Sequence, residues 1–290
     1  MAAAADELAL THDDTDAESE THRGTDWWAE ARGIVWLVLA VLGFHSLIAK
    51  PFYIPSESML PGLLVGDRLV VTKYPYGYSF VTPTFHLLPF MKGRLFGRLP
   101  ERGDVVIVTP PGKTIDYIKR VIALPGDRVA VRGGVVYLNG VAVPRRAMGT
   151  RDIPVDANSQ CDREHYEGRR VQVRGRLVCR LPIFRETLPN GRSYDTVDLG
   201  QTRGDDFAEI RVPRDRVFLM GDNRDNSADS RFSVAENGLG GPVPWENIGG
   251  RAEFITFSLD GSASWNPLTW PASFRSGRAG TTLHPQRDMQ

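Results

Sequence analysis

The residues Pro55-Ser56-Glu57-Ser58-Met59-Leu60-Pro61 place two serines one position apart, between prolines that fix the backbone on both sides. They stand six residues past an apolar run that ends at Ala49. A polar turn leaving a helix accounts for such a stretch. So does a hydroxyl held rigid beside an apolar surface so that it can react. The segments on either side decide between the two.

Upstream, residues 33–49 read GIVWLVLAVLGFHSLIA, seventeen positions without a formal charge. That is the short end of the ~17–25 residues that cross a bilayer. Trp27 and Trp28 precede the run as an interfacial pair and Lys50 closes it. A cleaved leader wants a basic start and a small-residue exit, but residues 1–26 are rich in Ala, Asp, Glu and Thr and the exit is Lys-Pro-Phe. The expectation is one transmembrane helix over 33–49 after a disordered tail over 1–32, with a buried core helix as the bland alternative. Arg23 and Arg32 on one side and Lys50 on the other leave its orientation open.

Downstream the pattern turns to strands: Arg68–Lys73, Asp104–Thr109, the run around Lys119, the hairpin VVYLNGVAV over 135–143, VFLM from 217, and Asn247–Ser258. Asn139-Gly140 is a type I′ turn signal. Residues 75–100 hold Phe80, Phe85, Leu87, Leu88, Phe90, Met91, Leu95 and Phe96 without a period, which suits a ribbon at a membrane interface. Residues 144–211 are charged and irregular and carry both cysteines, Cys161 and Cys179, so they read as an insertion. The fold is expected to be mainly β.

The 35 basic and 35 acidic residues balance, so no basic footprint points to nucleic acid. Pro110-Pro111-Gly112-Lys113-Thr114 looks like the end of a phosphate loop, yet Ile107 stands where its first glycine belongs, which excludes nucleotide binding. Asp225, Ser227, Asp229 and Glu236 match EF-hand positions 1, 3, 5 and 12, a calcium loop over 225–236. Ser230 at the glycine position and Arg231 beside it argue against a cation. The other reading of Asp222–Arg231 is a salt-bridged scaffold for one face of an active site.

A reactive serine needs a base. No histidine sits in a triad context, and neither G-x-S-x-G nor S-x-x-K occurs. Of the five lysines, Lys119 in Tyr117-Ile118-Lys119-Arg120-Val121-Ile122 has the most apolar flanks. It is either a solvated lysine on an edge strand or a desolvated one with a lowered pKa.

PSESMLPGLLVGDRLVV, RGDVVIV, DYIKRVIALPGD and GDNRDNSADSR, in this order after a membrane span, resemble the sequence boxes of bacterial signal peptidase I, over residues 33 to about 257. Glu57 between the serines and the single span are departures. The resemblance implies a β-rich catalytic core, here 50–127 and 214–258, with a smaller α+β or β satellite domain inserted at 128–213 and a polar C-terminal tail at 259–290. It implies Ser58 as nucleophile, Lys119 as general base, and Ser56 with the Ser58 N–H as oxyanion hole. Ser227 would orient the Lys119 amine, Asp229 would pair with Arg231, and Asp222 with Arg120. Phe52, Ile54, Met59, Leu63, Tyr117, Ile118 and Ala228 would line shallow pockets for small residues of the Ala-x-Ala kind. The implied partners are signal peptides of exported preproteins and membrane lipid, with room for the secretion translocase nearby and no nucleic acid, cofactor or metal. The implied place is the bacterial cytoplasmic membrane, amino terminus inside and catalytic side outside. Self-cleaving repressors share the Ser/Lys chemistry, but a DNA-binding helix-turn-helix is not what precedes Ser58 here. A non-enzymatic, membrane-anchored binder with the calcium loop is the remaining alternative. The cysteines are expected to form a structural disulfide on the oxidising side.

Overall fold

The computed structural model describes residues 26–83 and 92–287. The tail over 1–25 and the ribbon positions Phe85, Leu87, Leu88, Phe90 and Met91 lie outside the described residues. The first element is a helix, α1 (Trp27–Leu47), which is capped by Asp26 accepting from the amides of Trp28 and Ala29. It is the one helix among the described residues long and apolar enough to cross a membrane. Its bounds correct the expected span: residues 27–32, read as tail, are helical, while Ala49 already belongs to a strand. The reason is local, since Asp26 supplies an early cap and Pro51 cannot continue a helix.

The strands follow as β1 (Ala49–Tyr53), β2 (Asp67–Thr72), β3 (Val105–Val108), β4 (Tyr117–Ala123), β5 (Arg128–Arg132), β6 (Val135–Leu138), β7 (Val141–Ala142) and β8 (Arg145–Pro154). After them come β9 (Arg170–Val173), β10 (Arg176–Thr187), β11 (Arg192–Val197), β12 (Phe207–Arg211), β13 (Arg216–Met220), β14 (Val243–Pro244), β15 (Ile248–Ser258) and β16 (Gln286–Arg287). The chain is mainly β. The central sheet runs β1-β2-β15-β3-β4-β13-β14, and every pair in it is antiparallel. Both of its faces are covered. Val105, Ile107 and Ile118 enter one apolar cluster, while Val106, Val108 and Val121 enter another. This explains the unbroken apolar run of β3, in place of the alternation a half-exposed strand shows. Lys119, opposite Val106, is therefore on an interior strand and 3 % exposed, and the solvated edge-strand reading is set aside.

Segment 128–213 supplies two smaller sheets, β12-β5-β6-β7 and β11-β10-β8 with β9 added on β10, the second extended at β11 by the C-terminal β16. Asn139 and Gly140, both at positive φ, join β6 to β7 as the turn signal required. Neither sheet stands apart from the rest. Val129, Val131 and Leu138 share a cluster with Phe218 and Met220, and Ile153, Cys161, Cys179 and Leu181 share one with Leu60 and Leu64. Cys161 and Cys179 are joined as a disulfide, with Cα atoms 5.6 Å apart.

Residues 259–290, read as a polar tail, are held against the body as far as 287. Arg275 forms a two-pronged pair with Asp156, Arg278 pairs with the buried Asp67, Leu283 enters a core cluster, and β16 adds to β11. Buried ion pairs do here what an apolar pattern does elsewhere, so hydropathy alone misses them.

Candidate active site

Ser58 sits in the turn between β1 and β2 and is 7 % exposed. Lys119 reaches it from β4, with Nζ donating to Ser58 Oγ at 2.9 Å and to the Ile118 carbonyl at 3.0 Å. Ser56 Oγ lies 3.3 Å from Ser58 Oγ. The chain thus brings together three groups separated by up to 63 positions between Ser56 and Lys119. Burial pushes the Lys119 ammonium down from its ordinary 10.5 to about 8, against the opposing charges of Asp229 and Asp222. A neutral amine beside a hydroxyl can take the hydroxyl proton, which a lysine at its ordinary value cannot do near neutrality.

The support lies in the turn after β13. Arg120 holds Asp222 through two hydrogen bonds, 2.7 and 2.6 Å, and donates a third to the Gly103 carbonyl. Arg231 grips Asp229 at 2.9 Å through each prong, and Asp229 also accepts the Gly221 amide. Burial alone would raise the Asp229 carboxyl. The Arg231 charge and these hydrogen bonds outweigh it and hold the group below its ordinary range. Both expected pairs therefore exist. Ser227 differs, because its buried Oγ meets no hydrogen-bond partner among the described residues. The lysine amine is oriented by Ser58 and the Ile118 carbonyl instead.

The residues of the alternative calcium loop do not converge. Asp225 accepts from the Leu199 amide and Thr202, Asp229 is taken by Arg231, and Glu236 serves Ser233 and Arg203.

A cavity of about 450 Å³ opens over Ser58 and Lys119. Phe52, Tyr117, Ile118 and Ala228 line it, as expected. Ile54, Met59 and Leu63 do not. They are at most 2 % exposed and pack with Leu69, Val71 and Ile255 beneath the serine turn. Met59 and Leu63 lie four apart in a turn closed by the Leu63 N–H to Met59 carbonyl bond, so both side chains drop into the core. Ile115, Asp116 and Asn226 also line the wall and were missed by sequence reasoning. The pairing of Asp116 with Lys50 and Thr109 has no local spelling in the chain.

Gly221 shows how close this packing is. A Cβ there would stand 2.1 Å from Ser227 Oγ and 2.5 Å from the Ser58 carbonyl oxygen. Gly221→Ala is expected to lower turnover about 100-fold or more, since a displacement near 1 Å at reacting groups costs that much. Initial rates on a signal-peptide substrate would show it, and an alanine variant as active as the parent would mean the contact gives way freely.

The model of the family described as "Signal peptidase, peptidase S26" matches residues 27–257. The signal peptidase I of Rickettsia typhi is 35% identical over 238 residues, covering 79% of this chain and 80% of the relative. That of Rickettsia akari is 34% identical over 255 residues, covering 85% and 84%. A crystal structure of a signal peptidase I from Enterococcus faecalis V583 aligns over 53% of this chain and 97% of its own at 23% identity, with a TM-score of 0.28. By the family match and the two sequence relatives, the chain belongs to the signal peptidase, peptidase S26 family.

Proposed function

We propose that Ser58 and Lys119 form the catalytic dyad of a membrane-anchored endopeptidase that cuts signal peptides from exported preproteins after small residues. The observation that carries this reading is the buried Nζ–Oγ hydrogen bond between the two. In the first step Lys119 takes the Ser58 proton as Oγ attacks the scissile carbonyl carbon. The tetrahedral oxyanion is met by the Ser58 N–H and the Ser56 hydroxyl. Collapse breaks the C–N bond, and the proton on Lys119 goes to the leaving amine. Water then takes the place of the amine, with Lys119 again as base, and frees Ser58. Phe52, Tyr117, Ile118 and Ala228 give the cleft shallow apolar walls that suit an alanine-sized side chain. α1 serves as the anchor, with the amino terminus inside, the catalytic side outside, and lipid and the translocase as neighbours.

The direct test incubates the detergent-solubilised chain with an authentic preprotein and sequences the new amino terminus. A cut after Ala-x-Ala supports the reading, and an intact preprotein sinks it. The rate is expected to rise with pH through about 8, as Lys119 loses its proton, and then to level off. Between about 8 and 10.5 the folded chain binds fewer protons at Lys119 than the unfolded chain does, so this group's contribution to stability also rises with pH there. Lys73 is a second buried lysine lowered to about 8, chiefly by burial, and it donates to the Thr82 carbonyl away from the cleft. Lys73→Met should therefore leave the midpoint of the pH–rate curve in place. A midpoint near 6.5, the histidine value, would exclude Lys119 as the base.

A further inference from the structure

Glu57, the departure between the two serines, is tied to a residue that no sequence box contains. Tyr166 lies in the loop that the Cys161–Cys179 disulfide closes. Tyr166 is 2 % exposed and shares an apolar cluster with both cysteines and with Leu60 and Leu64, two and six positions after the nucleophile. Its hydroxyl donates to Glu57 Oε2 at 2.7 Å and accepts from the side-chain amides of Asn223 at 2.9 Å and Asn226 at 3.2 Å. The proton assignment is forced: an ionised carboxylate only accepts, so the hydroxyl hydrogen goes to Glu57 and its lone pairs face the two amides. Burial pushes the Glu57 carboxyl up, and the Tyr166 hydrogen bond pulls against it.

We propose that Tyr166 is a positioning residue for the nucleophile, fixing the Glu57–Ser58 peptide through Glu57 and Asn223. The same Asn223 amide that meets Tyr166 also donates to the Glu57 carbonyl at 3.2 Å, and the Asn223 backbone N–H donates to the Ser58 carbonyl at 3.1 Å. The peptide between Glu57 and Ser58 is planar and trans, so a carbonyl aimed at Asn223 aims the Ser58 N–H the opposite way. That N–H is the backbone donor assigned to the oxyanion above. Asn226, the other amide on the tyrosine hydroxyl, lines the cleft itself. One phenol outside the recognised boxes thus holds both the direction of the oxyanion donor and a wall of the cleft. The disulfide-closed loop gives that phenol its fixed place.

This inference rests on Ser58 being the nucleophile, so Ser58→Ala is measured alongside. The full chain in detergent is assayed as Tyr166→Phe, Glu57→Ala and the double variant, each with its melting temperature. Tyr166→Phe keeps the ring packing and removes only the hydroxyl bonds. The expected result is a fall in kcat of about 10- to 100-fold with KM within about twofold, because an oxyanion donor left loose loses part of the 10²–10³ that a donor supplies. Glu57→Ala should show the same split, and the double variant should be no slower than the slower single one, since both cut the same chain of bonds. An unchanged kcat in Tyr166→Phe overturns the proposal. So does a loss confined to KM, or additive losses in the double variant. If Tyr166→Phe fails to fold, the split in Glu57→Ala decides alone. Cleavage by Ser58→Ala would instead remove the dyad on which the inference stands.

Discussion

Ser58→Ala and Lys119→Ala are each expected to lower kcat/KM by about four orders of magnitude or more, which is ~5 kcal/mol or more of lost transition-state stabilisation. The nucleophile and its base act as a unit, so removing either leaves the other without a partner for the reaction. Their combined loss should be close to the larger single one. Lys119→Arg is expected to be as inactive as the alanine variant. A guanidinium stays protonated at any working pH and cannot accept the Ser58 proton, however well it fits. The fold should survive Ser58→Ala, since the hydroxyl bonds only Lys119 Nζ and the part-buried Ser56 hydroxyl, and the lysine keeps its bond to the Ile118 carbonyl. Rates measured on a preprotein, with melting curves as the folding control, decide the matter. Turnover at parental levels by any of the three variants would show that the dyad has been misplaced. Substrate should still bind to Ser58→Ala, because the apolar walls of the cleft are untouched.

The parts legible in the sequence are those whose signal is local. A strand such as Val105–Val108 announces itself by composition, Asn139-Gly140 by the φ values only such residues tolerate easily, and Lys119 by its apolar flanks. Paired Asp222–Arg120 and Asp229–Arg231 were legible only through the resemblance, since nothing in either segment names its partner. Direction within a turn was harder. Ile54, Met59 and Leu63 have the chemistry of pocket walls and that of core, and only the path of the turn sends them inward. Long-range polar contacts that leave the recognised boxes were not legible at all. Arg94 reaches the carbonyls of Tyr76, Gly77, Trp245, Glu246 and Ile248, and so pins two distant segments together with one side chain. Tyr166 and the C-terminal Arg275 and Arg278 are of the same kind. Their carboxylate partners, Glu57, Asp156 and Asp67, lie 109 or more positions away, beyond any pattern that periodicity can register.

Arg120→Met is expected to cost about 3–5 kcal/mol of stability, the second large effect this molecule should show. Arg120 and Asp222 are 8 % and 3 % exposed at their side chains, so the change leaves a carboxylate buried with no guanidinium to meet it. The Gly103 carbonyl loses its donor as well, and the Tyr194 ring loses a cation 4.2 Å from its centre. Arg128–Glu209 offers the contrast. Its charges lie 3.5 Å apart with side chains 55% and 36% exposed, and water screens them so well that Arg128→Met should cost no more than about 1 kcal/mol. For a folded unit of this size the buried change should lower the melting midpoint by roughly 6–20 °C and the exposed one by about 4 °C at most. Asp222→Leu added to Arg120→Met should recover much of the loss, because the penalty comes from the orphaned charge more than from the missing bond. Activity should fall with stability in the single variant. Asp222 directly precedes Asn223, whose backbone N–H holds the Ser58 carbonyl, so a carboxylate seeking water pulls on the nucleophile turn. Thermal unfolding of the purified variants in one detergent tests all three. A single Arg120→Met protein melting within about 2 °C of the parent would mean that water reaches Asp222 and that the pair is not the buried anchor its exposure implies.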